Sequence, residues 1–224
     1  MGVSFPAGTI VRTGVERATL VRRTYSLVFV SVLVTIAGAM FALAQPRILN
    51  TVAAHPIITM IATFAPLFAA MSFRKVFPVN IALVFLFTFA EGIFLSPFLY
   101  VYGQQQPGLI TQAALLTIGA FGVLTAYTFI SRRDFSAWGS FFSVGLWVVI
   151  GGMLLNIFFF HNPAADLALA GVTVLVFSGL LVFDTWRIRN VYGPDEYVGA
   201  AVQIYLDLLN LFLALIRILG GRRN

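Results

Sequence analysis

The chain reads as an all-α integral membrane protein with seven transmembrane helices. Three observations lead there. Of its 224 residues, 60% are hydrophobic and only 10% are charged, whereas a soluble domain carries about a quarter charged residues. The apolar residues fall into runs near the roughly 20 that a spanning helix needs. Short segments with turn chemistry separate those runs. A water-soluble fold of this composition would expose an apolar surface that its 14 basic and eight acidic residues could not cover.

The candidate spans are 24–44, 56–73, 77–102, 109–131, 136–160, 166–188 and 199–219. Between them stand "AQPRILN", "SFRKVFP", "GQQQPG", "SRRDFS", "FHNPAAD" and "RNVYGPDEY". Pro, Gly and Asn in these pieces break helices, and their charges resist burial. Connections this short make neighbouring spans antiparallel. The organisation expected is a basic cytoplasmic segment 1–23, one membrane domain 24–219 and a basic tail 220–224. No internal repeat is evident, which argues against an inverted-repeat transporter. "RR" before an apolar run ending in "ALAQ" has the outline of a signal peptide cleaved after Ala44, but the segment and its apolar run are too long for one.

Lys and Arg set the orientation. With the N-terminus inside, the inner segments hold Arg12, Arg17, Arg22, Arg23, Arg74, Lys75, Arg132, Arg133, Arg187 and Arg189, and the outer ones Arg47, Arg222 and Arg223. The N-terminus is therefore expected in the cytoplasm and the C-terminus outside. The basic tail "GGRRN" is discordant, and a re-entrant hairpin at 199–219 would return it to the inside. The net charge of +6 is scattered over short loops, so it reads as topology rather than as a nucleic-acid patch.

Several chemistries are excluded. Cysteine is absent, which removes disulfides, thiol catalysis and Cys-based metal sites. His55 and His161 lie in separate loops. No Walker loop, dinucleotide fingerprint, zinc motif or Ser-His-Asp order occurs, and no cofactor is expected.

Three acids interrupt the apolar spans. Glu91, in "FTFAEGIFLSP", lies mid-span, where a charge costs about 3 kcal/mol even on the generous insertion scale. It either faces the bundle interior on an ion or proton path, or is a protonated acid making one structural hydrogen bond beside Gly92. Asp184, in "LLVFDTWRIRN", lies about 6 Å from the end of its span, and Asp207, in "IYLDLLN", about 12 Å into the next from the same side, at 1.5 Å per residue. On antiparallel neighbours these two carboxyl groups can meet. Two close carboxylates in a low dielectric cannot both ionise cheaply and titrate as a pair. Such a pair is a proton switch, and doubly deprotonated it attracts a cation. Alternatively Asp184 pairs with Arg187 or Arg189 of its own helix, which leaves Asp207 unanswered. Asn210 is i+3 from Asp207 and can donate to it. Arg74, at the cytoplasmic end of the second span, can snorkel inward to the pair or serve with Lys75 as a topology charge.

"FAEGIFLSP", "VFDTWRI" and "YLDLLNLFLALIRILG" resemble motifs of the Bax inhibitor, or transmembrane Bax inhibitor motif, family, in its bacterial branch. The resemblance runs over nearly the whole chain. It implies six helices packed around a central C-terminal seventh and a location in the bacterial inner membrane. It also implies a pH-sensitive calcium leak whose di-aspartate sensor is Asp184 and Asp207, with Arg74 as a latch on Asp184. Calcium would then be the ion bound or transported, at those two aspartates. Thr63 stands where some members carry a further carboxylate. Bacterial relatives are linked to a membrane protease, so a non-enzymatic stress regulator is a second reading. A third is an intramembrane aspartyl protease, since two facing aspartates are what that chemistry needs. "IYLD", however, lacks the Gly-x-Gly-Asp such proteases show. The partners expected are the lipid bilayer, protons, calcium and a membrane protease, with no nucleic acid.

Overall fold

The computed structural model describes residues 14–73 and 76–221. They form helices and connecting turns, with no strand among the described residues. The helices are α1 (Gly14–Leu43), α2 (Pro46–Ala54), α3 (Pro56–Ser72), α4 (Val79–Gln105), α5 (Leu109–Ile130), α6 (Ser136–Leu155), α7 (Pro163–Asn190) and α8 (Tyr197–Gly221). Six helical stretches are long and apolar enough to cross a membrane: α1, α4, α5, α6 with its π-helical extension to Phe160, α7 and α8. The number is seven if α2 and α3 together make one span.

The second candidate span differs from expectation. "PRILNTVAA" is not a connecting loop but the helix α2, bent by 101° from α3. Both helices begin with a proline. Its fixed φ suits a first helical position, while the residue before it is driven out of the helical region. His55, ahead of Pro56, accordingly sits at φ −128°, ψ 57° and breaks the chain between the two helices. α1 is one continuous helix from Gly14 to Leu43, so residue 23 lies within it. α8 is a single helix of 25 residues, about 37 Å long. The re-entrant geometry considered for the C-terminal span therefore does not occur there.

Proline also interrupts α4, at Pro97. Its missing N–H leaves the carbonyl of Ile93 without a helical donor, and the Ser96 hydroxyl supplies one at 2.7 Å. The break between α6 and α7 is closed by two asparagines. Asn156 and Asn162 exchange side-chain and backbone hydrogen bonds of 3.1 and 3.0 Å. Asn162 then caps α7 by accepting from the Ala164 N–H at 2.9 Å.

The helix ends sort into two faces. On one, Arg189 at the end of α7 donates to the Thr128 and Ser131 carbonyls at the end of α5, both at 2.8 Å. There too Arg23 of α1 lies over the Tyr197 ring that opens α8. On the other, Gln106 at the end of α4 donates to the Gly220 carbonyl of α8. Arg17, Arg22, Arg23, Arg132, Arg133, Arg187 and Arg189 stand at or near the helix ends and connections of the first face.

α8 touches α7, α1, α5 and α4. No residue from Tyr197 to Gly220 is exposed. α6 is the opposite case and buries only Gly139 and Val149. It reaches the rest of the bundle through α7, and α3 does so through α4. At the α1–α4 seam backbone meets backbone. A Cβ on Gly92 would run into the Thr35 carbonyl and the Ala39 nitrogen of α1, and one on Gly38 into the Phe89 carbonyl of α4. Small residues at such seams let backbones meet where no hydrophobic force distinguishes helix from lipid.

Candidate functional site

Asp184 and Asp207 come together at the α7–α8 seam. Asp184 is 7% and Asp207 5% exposed. Their carboxyl groups lie within hydrogen-bonding reach of one another. A hydrogen bond between two carboxyls needs a proton, because an ionised carboxylate can only accept. The sequence places them together through antiparallel geometry alone: α7 ends six residues after Asp184, and α8 begins ten residues before Asp207.

The two acids are answered unequally. Arg187, one turn after Asp184, donates its Nη1 to Asp184 Oδ1 at 3.0 Å. The same nitrogen donates to Gln203 Oε1 of α8, also at 3.0 Å. Tyr192, in the short connection between the helices, donates its hydroxyl to that same Gln203 oxygen. The guanidinium stacks over the Tyr192 ring at 4.5 Å and the Phe183 ring at 5.5 Å, contacts that favour a cation over an aromatic face. Arg187 is thereby held between α7, the connection and α8. Asp207 Oδ2, by contrast, is buried and receives no hydrogen bond from a protein donor among the described residues. Of the two arginines near Asp184, Arg187 takes the ion pair, while Arg189 turns to the end of α5.

Burial pushes the Tyr192 phenol above its ordinary value of 10.0. Arg187 opposes the shift, and the charges of Asp184, Glu196 and Asp207 add to it. The hydroxyl therefore stays a donor to Gln203 through the physiological range.

Asn210 does not support Asp207. Its Nδ2 donates to the Leu206 carbonyl at 2.8 Å, the i−4 group of its own helix. That carbonyl is fixed within reach of the short amide side chain, which the lateral carboxyl is not. Arg74, the expected latch, lies outside the described residues.

Glu91 belongs to another seam. It sits on α4, 5% exposed, and its Oε2 is buried without a donor among the described residues. Its electrostatic neighbour is Tyr205 of α8, whose hydroxyl shares a 2.8 Å hydrogen bond with Thr35 of α1. Tyr205 and Asp207 are two residues apart, so they point to opposite sides of α8. Glu91 is therefore not part of the aspartate pair. Thr63 is buried in α3. Among the described residues no three or more His, Cys, Asp or Glu gather into a metal cluster.

Gln203 and Tyr192 are the site residues that motif reading missed. Gln203 was legible in principle, since it lies i−4 from Asp207 on the same face of α8. Tyr192 carries no such periodic signal, because its place depends on how the connection folds back.

The family model described as inhibitor of apoptosis-promoting Bax1 matches residues 17–224. Bax inhibitor 1 of Schizosaccharomyces pombe is 34% identical, over 93% of this chain and 78% of that protein. Protein lifeguard 4 of mouse is 32% identical over 91% of this chain and 85% of its own length. A membrane protein of Vibrio cholerae is 34% identical, over 93% of this chain and 92% of that one. The family model spans the aspartate seam and all but the first three residues of the described helices, and the chain belongs to the Bax inhibitor family.

Proposed function

We propose that the protein is a pH-sensitive cation leak, with calcium as the ion, gated by protonation of Asp184 and Asp207. The observation that carries this reading is the pair of buried carboxyls within hydrogen-bonding reach, with Arg187 on Asp184 and no protein donor on Asp207 Oδ2. A proton between the two acids holds α7 and α8 together at that depth. Losing it leaves two negative charges and one guanidinium in an apolar seam, which favours either entry of a cation or parting of the helices. The unexposed length of α8 supports a bundle in which six helices surround a central seventh, so that motion at the pair moves the core. In this reading residues 24–219 form one membrane domain of a bacterial inner-membrane protein, non-enzymatic, with a cytoplasmic N-terminus. The pair then opens toward the cytoplasm.

Calcium flux into liposomes, measured from pH 5 to 8 in wild type, Asp184→Asn and Asp207→Asn, tests the proposal. Wild type should show a pH-dependent flux, and each variant should lose most of that dependence. Flux profiles that match wild type in both variants overturn it. Relatives carry names such as Bax inhibitor 1 and Golgi anti-apoptotic protein, which favour a regulatory role as the second reading. Co-purification of a membrane protease with no liposome flux would select that role.

A further inference from the structure

A lateral groove, lined by neither Asp184 nor Asp207, opens at the arginine-rich face. It lies between α1, α4 and the connection leading into α8, with a volume of about 920 Å³. Its polar rim carries two cations, Arg22 and Arg23, and two anions, Asp195 and Glu196. All four are exposed. Arg23 lies 5.6 Å over the Tyr197 ring, next in sequence to Glu196, which brings both signs of charge to one level. Glu196 Oε2 accepts the Gly193 N–H at 2.6 Å. A carboxylate accepts several hydrogen bonds, so this contact shapes the connection without using up the charge. The floor is apolar and includes Val30 and Phe85. Val30 lies seven residues beyond Arg23 on α1, about 10 Å deeper, and Phe85 lies six residues into α4, about 9 Å deeper. Val30 is 38% exposed on a spanning helix, where the surrounding medium is lipid.

We propose that this groove binds one phospholipid of the inner leaflet with a zwitterionic, ethanolamine-type head group. The phosphate would sit on Arg22 and Arg23 and the primary ammonium on Asp195 and Glu196, while the upper acyl chain would follow Val30 and Phe85. Charge complementarity selects this occupant. Two cations beside two anions match a head group bearing both charges. An anionic head group would leave the acids facing its phosphate, and a choline head group cannot donate N–H bonds to them. The roughly 10 Å between charged rim and apolar floor is the step from head group to acyl chain. A free phosphate or amine would not use that floor.

Native mass spectrometry of the full chain, released from detergent with equal amounts of phosphatidylethanolamine, phosphatidylglycerol and phosphatidylcholine, tests this. One phosphatidylethanolamine should be retained in preference to the other two, and soluble glycerophosphoethanolamine should not compete at matched concentration. Arg22→Gln with Arg23→Gln should lower that retention about tenfold, a change of about 1.4 kcal/mol. Asp195→Asn with Glu196→Gln should bring phosphatidylglycerol level with phosphatidylethanolamine. If the first pair loses helix content by circular dichroism, Arg22→Lys with Arg23→Lys must retain the lipid. Equal retention of the three lipids, unchanged retention in both double variants, or effective competition by the soluble head group overturns the proposal.

Discussion

The α7–α8 seam buries two acids and the α1–α4 seam one, and they do so by opposite means. At α7–α8 polar side chains meet across the seam, and Asp184, Asp207, Arg187, Gln203 and Tyr192 form a linked set. At α1–α4 glycines bring the backbones into contact, and Glu91 beside them has an oxygen with no donor among the described residues. The first seam carries several alternative hydrogen-bond partners and one ion pair, so a change of proton count can be absorbed by rearrangement. The second has hard contacts and no such slack. A seam built to change state and a seam built to hold differ in which atoms meet there, polar side chains in one and backbone in the other.

Four substitutions probe that contrast, in descending order of expected effect. Gly92→Leu places a side chain against the backbone of Thr35 and Ala39. It should destabilise by about 3 kcal/mol, the upper end for overpacking, seen as a lower midpoint of thermal unfolding in detergent. A wild-type midpoint would mean that the α1–α4 contact is soft. Arg187→Gln removes the donor to both Asp184 and Gln203 and should cost about 1–3 kcal/mol, the penalty for leaving buried acceptors unsatisfied. Adding Asp184→Asn should restore part of it, and a cycle in which the two losses simply add would show that the pair is not coupled.

Tyr192→Phe removes one donor to Gln203 and should cost about 1 kcal/mol near neutral pH. Its pH dependence has a definite sign. Because folding raises the phenol above 10.0, the neutral phenol's contribution is complete below that value and is lost as pH climbs toward the folded value. The wild type should therefore lose stability above about pH 10 faster than the variant does, in chemical unfolding followed by circular dichroism. The smallest effect is expected from Glu91→Gln, which keeps the shape of a side chain that makes little use of its second oxygen. A midpoint within about 0.5 kcal/mol of wild type is expected, and a large loss would show that a charge at Glu91 is part of the fold.

Much of the α7–α8 site is legible from spacing. Asp184 and Asp207 meet because two antiparallel helices joined by a short turn leave them nowhere else to go, and Arg187 reaches Asp184 because i+3 side chains share a face. Asn210 shows the limit of the same rule. It shares a face with Asp207, yet its amide bonds the Leu206 carbonyl, since spacing names the neighbours of a side chain without ranking them. The bend at His55 follows from the proline in "AHPI", a signal that hydropathy, indifferent to backbone direction, does not register. Tyr192, outside any helical period, was beyond such reading.

The all-helical membrane class, the positions of six long apolar helices and the three buried acids follow from composition and periodicity. They rest on the local balance between apolar side chains, backbone hydrogen bonding and lipid, which acts residue by residue. Which acid receives a cation, which remains without a donor, where the glycines bring backbones into contact and how charges of both signs collect around one groove depend on helices far apart in the chain. Those outcomes are set by the rotation and depth at which each helix packs, and no local balance determines them.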